Sequence, residues 1–143
     1  MDTKLTLENF DAQISSQRKP FAIKFGSTTC GPCNTMAPVL DKVRTENPHF
    51  MVFEVDTDEE PELASHFGIR AVPTIHICED REILYSFHGI TPYRDIQYLI
   101  DNINDPHFRT HGSFKTSDQK KSYTFELIVL VLIALFASLF IFL

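Results

Sequence analysis

Cys30 and Cys33 are the residues of this chain whose type and spacing best suit chemistry. They stand in Thr29-Cys30-Gly31-Pro32-Cys33, between the apolar run Phe21–Phe25 and a stretch of helical periodicity. A cysteine where a loop opens into a helix faces unpaired backbone N–H groups and the positive end of the helix dipole, and both favour thiolate over thiol. In such settings a cysteine pKa falls from about 8.5 into roughly the 3.5–7.5 range. Cys30 is therefore read as the nucleophile toward a substrate disulfide, and Cys33, one turn on, as the thiol that resolves the mixed disulfide. Gly31 and Pro32 form the short link that lets the two sulfurs meet. Pro32 falls early in the helix, where its missing N–H costs little. A C-x-x-C pair can also be half of a zinc site, or inert. Zinc needs about four ligands, and neither Cys78 nor the histidines supply a second pair at finger-like spacing. Redox use, with no metal and no cofactor, is the preferred reading.

The elements that must position this pair follow from periodicity. Glu8–Ser16 carries Phe10 and Ile14 on one helical face, and Lys19-Pro20 breaks it. Phe21–Phe25 is a buried-strand candidate interrupted only by Lys24. Residues 33–45 read as a helix with Met36, Val39, Leu40 and Val43 on one face and a kink at Pro38. Phe50–Val55 is a second strand, and the acidic run Glu54–Glu62 a solvated loop leading into a helix over Pro61–His66. Thr74–Cys78 and Glu82–His88 are strands, and Pro92–Ile103 is a last amphipathic helix. The Phe21–Val55 stretch has βαβ spacing, which predicts a parallel pair inside a mixed sheet with helices on both faces, an α/β architecture.

Charge divides the chain. Residues 1–105 hold 17 acids and 9 bases, residues 106–124 are basic, and Leu127–Leu143 (LIVLVLIALFASLFIFL) hold no charge. The expected organisation is an acidic domain over 1–105, a basic flexible linker over 106–124 and a transmembrane tail anchor over 125–143. Lys120 and Lys121 before the apolar run favour a domain facing the cytoplasm. The start, Met1-Asp2-Thr3-Lys4-Leu5, lacks the apolar run of a secretory signal. The overall net charge of −6 argues against a nucleic-acid partner. His107 and His111, four apart, read as solvated linker residues, and Cys78 as an ordinary strand cysteine.

Residues 5 to about 104 resemble the thioredoxin family. The resemblance rests on Asn9-Phe10, Lys19-Pro20, the tetrad Cys30-Gly31-Pro32-Cys33, Met36-Ala37-Pro38, Val55-Asp56, Phe67-Gly68-Ile69-Arg70-Ala71-Val72-Pro73-Thr74 and Gly89. It implies the thioredoxin fold and a cis peptide before Pro73, opposite the dithiol. It further implies that Val72 and Pro73, with Thr29 and Gly89 nearby, dock an extended substrate segment by strand-like hydrogen bonds. The implied partners are protein disulfides and a reductase or dithiol electron donor, with the bilayer held through 125–143.

Three departures are expected to matter. Thr29 and Gly26 stand where the family carries tryptophans. Lys24 stands where the family has a buried aspartate beneath the dithiol, which makes Lys24 a candidate modulator of the cysteine pKa values. The position of the family's neighbouring lysine is read as Val52, so a charge-swapped pair is not restored there. The intact tetrad Cys30-Gly31-Pro32-Cys33 and the apolar tail favour a membrane-anchored disulfide reductase, while the missing tryptophans and Lys24 lend weight to its alternatives. The alternatives are a redox-poor peptide-binding module, and an oxidase or isomerase if the domain faces an oxidising compartment.

Overall fold

A computed structural model describes residues 3–113. The linker beyond Ser113 and the apolar segment 125–143 lie outside the described residues. Among the described residues, no helix is long and apolar enough to cross a membrane.

The elements run α1 (Phe10–Ser15), β1 (Phe21–Gly26), α2 (Gly31–Glu46), β2 (Val52–Asp56), α3 (Pro61–His66), β3 (Thr74–Glu79), β4 (Glu82–His88), α4 (Tyr93–Asn102) and α5 (Pro106–His111). The four strands form one mixed sheet in the order β2-β1-β3-β4. β1 pairs with β2 in parallel and with β3 antiparallel, and β3 pairs antiparallel with β4. The parallel pair predicted over Phe21–Val55 is thus the one observed. A parallel bridge from Lys4 to Glu54 extends the outer edge of β2.

β1 is central, and its alternation sorts the two faces. Phe21, Ile23 and Phe25 point into a core shared with Ile14 of α1, Phe53 and Val55 of β2, Leu63 of α3 and Cys78 of β3. Edge-on aromatic contacts tie this layer together: Phe21 with Phe53 at 5.8 Å and Phe10 with Phe67 at 5.5 Å. Ala22, Lys24 and Gly26 point the other way, toward α2. On that side α2 meets α4 through reciprocal Asn47–Gln97 amide hydrogen bonds and the Lys42 ammonium, 4.2 Å from the centre of the Tyr93 ring.

One expectation changes and a second is narrowed. Residues 106–111, assigned from sequence to the linker, form α5. Asp105 caps it by accepting from the N–H groups of His107 and Phe108, both at 2.9 Å. Pro106 occupies its first turn, and Gly112 closes it in the left-handed conformation (φ 66°). Phe108 is buried, with its ring 6.3 Å from Tyr85, and Arg109 forms a two-pronged ion pair with Glu79. Glu54, placed by the sequence both in the strand Phe50–Val55 and at the head of the solvated acidic run, belongs to the strand and sits in the middle of β2.

Candidate functional site

The dithiol site is built at the junction of β1 and α2. Cys30 is the N-cap of α2, in extended conformation, and its Sγ accepts from the Cys33 N–H at 3.2 Å. A helix start leaves such N–H groups without backbone partners, so the sulfur occupies the position a capping oxygen usually takes. Cys30 and Cys33 are joined by a disulfide with their Cα atoms 5.2 Å apart. The two sulfurs differ in depth: Cys30 is half-buried, whereas Cys33 is 2% exposed beneath the first turn of α2. Gly31 and Pro32 are exposed on that turn.

Opposite the disulfide lies the loop that feeds β3. The Val72–Pro73 peptide is cis, and the Val72 carbonyl oxygen stands 3.9 Å from Cys30 Sγ. In the disulfide that sulfur carries no proton, so this is a contact and not a hydrogen bond. Val72 is partly exposed and Pro73 buried. Gly89 donates its N–H to the Pro73 carbonyl at 2.8 Å with φ +77°, a conformation that favours glycine. The exposed Ile90 follows it. Thr29 is exposed but turned sideways, its hydroxyl 2.8 Å from that of Ser27. Thr29, Val72, Pro73 and Gly89 therefore come from three separate loops, and Cys30 touches the second of them. Beside Val72 an open groove of about 390 Å³ is lined by Thr57, Pro61, Ala64, Ile69 and Arg70.

Lys24 lies underneath. A Cβ placed on Gly26 would sit 3.3 Å from Cys33 Sγ and 3.3 Å from Lys24 Nζ. Sulfur and amine are therefore separated by no more than twice that distance. Lys24 is not alone. The β1–β2 register places Glu54 directly beside it, and Val52 beside Ala22. The Lys24 Nζ to Glu54 Oε2 distance is 3.4 Å. Val52 restores no pair, as expected; it is the facing position on the parallel strand, Glu54, that carries a carboxylate. Glu54 also accepts from Arg44 of α2, whose other end meets Asp41 at 3.0 Å. Burial would raise the Glu54 carboxyl, but the Arg44 hydrogen bond and the charges of Lys24 and Arg44 outweigh it and hold the pKa below its ordinary value. Sequence reasoning missed Glu54 and Arg44 as parts of the site. The available signal was a lone charge within the apolar strand Val52-Phe53-Glu54-Val55. A polar cavity of about 410 Å³ opens this cluster to solvent, its lining including Lys24, Gly26, Asn34 and Glu54.

The remaining candidates lie elsewhere. Cys78 is buried on the opposite face of the sheet, where burial pushes its thiol up to about 12. The His107 and His111 rings stack at 4.3 Å on α5. Among the described residues, no three His, Cys, Asp or Glu side chains are grouped to hold a metal ion.

Comparison with known proteins places this arrangement. The family model described as Thioredoxin matches residues 2–102. The chain is 31% identical over 98 residues to Thioredoxin 1 of Synechococcus elongatus, covering 68% of this chain and 92% of that protein. It is 33% identical over 100 residues to the chloroplastic Thioredoxin Y2 of Arabidopsis thaliana, covering 69% and 60% respectively. The chain spans only 55–66% of the length of several of the curated relatives it matches. Among solved structures, oxidised mitochondrial Thioredoxin 3 of Saccharomyces cerevisiae superposes with a TM-score of 0.63 at 31% identity, covering 70% of this chain and 94% of that one.

Proposed function

Since the chain belongs to the thioredoxin family, we propose that it is a protein disulfide reductase that cycles its Cys30–Cys33 pair and is tethered to a membrane. The observation that carries the reading is the difference in depth between two bonded sulfurs at one helix start. A dithiol donor or reductase first opens the disulfide. The Cys30 thiolate, favoured by the N–H groups of the first turn of α2, attacks one sulfur of a substrate disulfide. A Cys30–substrate bond forms and the substrate's other sulfur leaves as thiolate. Cys33 then loses its proton and attacks Cys30 Sγ. The Cys30–Cys33 bond re-forms, the bond to substrate breaks, and the released thiolate takes a proton from solvent. Two electrons have passed from the pair to the substrate. The exposed edge at Val72, with Thr29 and Gly89 beside it, is suited to hold the substrate segment in extended form.

Lys24 enters as a modulator. Its ammonium next to Cys33 stabilises a thiolate there, which favours the reduced pair and makes the protein a weaker reductant than relatives with an acid in that place. The membrane tether rests on the uncharged sequence 127–143 and on Lys120 and Lys121 before it, which favour a domain in the cytoplasm.

The activity is tested by insulin reduction with a dithiol donor. Cys30→Ser should abolish turnover above the donor's own background. Cys33→Ser should accumulate a substrate adduct on Cys30, visible by mass and released by added thiol. A Cys30→Ser variant as fast as wild type overturns the reading.

A further inference from the structure

The charge beneath Cys33 is a paired one, and the pairing supplies a control that Lys24 alone would lack. We propose that Glu54 is a positioning residue for the exchange reaction: it holds the Lys24 ammonium in an ion pair while Cys33 is neutral or bonded, and yields it to the Cys33 sulfur when that sulfur is ionised. The inference rests on the disulfide-exchange reading above.

The geometry supports an exchange of partners. Lys24 Nζ lies 3.4 Å from Glu54 Oε2, longer than a close charge-assisted contact, and Nζ and Cys33 Sγ each lie 3.3 Å from a Cβ placed on Gly26. Glu54 is anchored from the far side by Arg44, so its carboxylate keeps a partner if Lys24 departs. Arg44 is itself held by Asp41 and by the Val52 carbonyl at 3.4 Å. The lysine is the member with a flexible stem, on a side chain that is 14% exposed and that has, among the described residues, no second ion-pair partner to anchor it. The other charges facing the cavity are Lys4 from the N-terminal segment, Asp56 at the end of β2 and Glu59 beyond it, and Lys4 pairs with Glu59. Asp56 is engaged with the N–H of Asp58 at 2.9 Å. Lys24 is thus the charged side chain that meets the buried sulfur at Gly26, and Glu54 is its ion-pair partner. The cavity they line opens Lys24 and Glu54 to solvent, so neither side chain has to retain the proton that Cys33 gives up.

The consequence is a definite sign. A carboxylate that competes for Lys24 weakens its hold on the Cys33 thiolate. Removing the carboxylate should favour the reduced pair, and removing the lysine should favour the disulfide. The test equilibrates the full chain with glutathione redox buffers and counts free thiols at 30 and 33 by mass after alkylation, with circular dichroism confirming the fold of each variant. In a fixed buffer, Glu54→Gln should raise the dithiol-to-disulfide ratio by roughly 3–10-fold and Lys24→Gln should lower it by a similar factor, the range expected for one partly screened charge at this separation. Glu54→Asp, which keeps the charge, should return the ratio toward wild type. In a Lys24→Gln background, Glu54→Gln should shift the ratio less than half as far, because its effect is transmitted by the lysine. An unchanged or lowered ratio in Glu54→Gln, or an equal shift in both backgrounds, overturns the proposal and leaves the exchange reading standing. An unchanged ratio in Lys24→Gln overturns it whatever the glutamate variants do. A wild-type pair that never equilibrates with glutathione overturns the exchange reading as well.

Discussion

His76 is a titratable side chain set among rings. It is 6% exposed, with Phe25 5.3 Å and Phe67 6.0 Å from its ring centre, and its Nδ1 meets the Ser86 hydroxyl at 3.3 Å. Burial, and secondarily the nearby His88, lowers its pKa from the ordinary 6.5. The folded state therefore binds this proton less readily than the unfolded chain. The stability this contributes is fully present above about pH 6.5 and is lost as pH falls through the lower folded value. Glu54 and Glu79, also lowered, act in the same direction further down the scale: their contribution is present above about pH 4.5 and is lost below it. Melting temperature measured in steps from pH 7.5 to 3.5 should fall in two stages. Replacing His76 with Gln should flatten the upper stage and spare the lower one. An undiminished decline between pH 6.5 and 5 in that variant would place its cause elsewhere.

Elements differ in how far they could be read in advance. β1, α3, β3 and β4 carry their own signals, an apolar run or a proline with acids at a helix start, and they form where those signals stand. The Cys30–Cys33 pair was legible for the same reason, since strand, turn and helix start are contiguous in sequence. The Lys24–Glu54 pair was not, because register between β1 and β2 is decided by how two distant segments stack and one step of misalignment exchanges Glu54 for a buried neighbour. α5 was missed because its composition, Pro-His-Phe-Arg-Thr-His, is polar and short. Its boundary residues nevertheless spelled a helix: Asp105 before Pro106 at one end and Gly112 at the other. Its single apolar residue is what docks it. Phe108→Ala should cost about 3–5 kcal/mol of unfolding free energy in urea titration, the usual range for a buried phenylalanine. A loss well under 1 kcal/mol would mean that α5 is not part of the cooperative unit.

At the scale of the whole molecule, an acidic domain and an uncharged sequence end are joined by a basic stretch. If 125–143 tethers the protein, the full chain should sediment with membranes and resist alkaline extraction, whereas a chain ending before residue 125 should stay in the supernatant. Protease added to sealed vesicles should remove the domain when their cytoplasmic face is outward. Protection in that orientation would reverse the proposed sidedness and make the oxidising direction of the chemistry the better reading.

The burial of Cys33 under the first turn of α2 has one more effect. A bulky visitor can bond to the partner sulfur alone, so every encounter begins at a single doorway of fixed shape. Choice among visitors cannot then reside in the sulfur chemistry, which is common to all of them. It falls to the walls around the doorway, and trading Arg70 or Ile90 for other residues should redirect the protein's clientele without altering its redox poise.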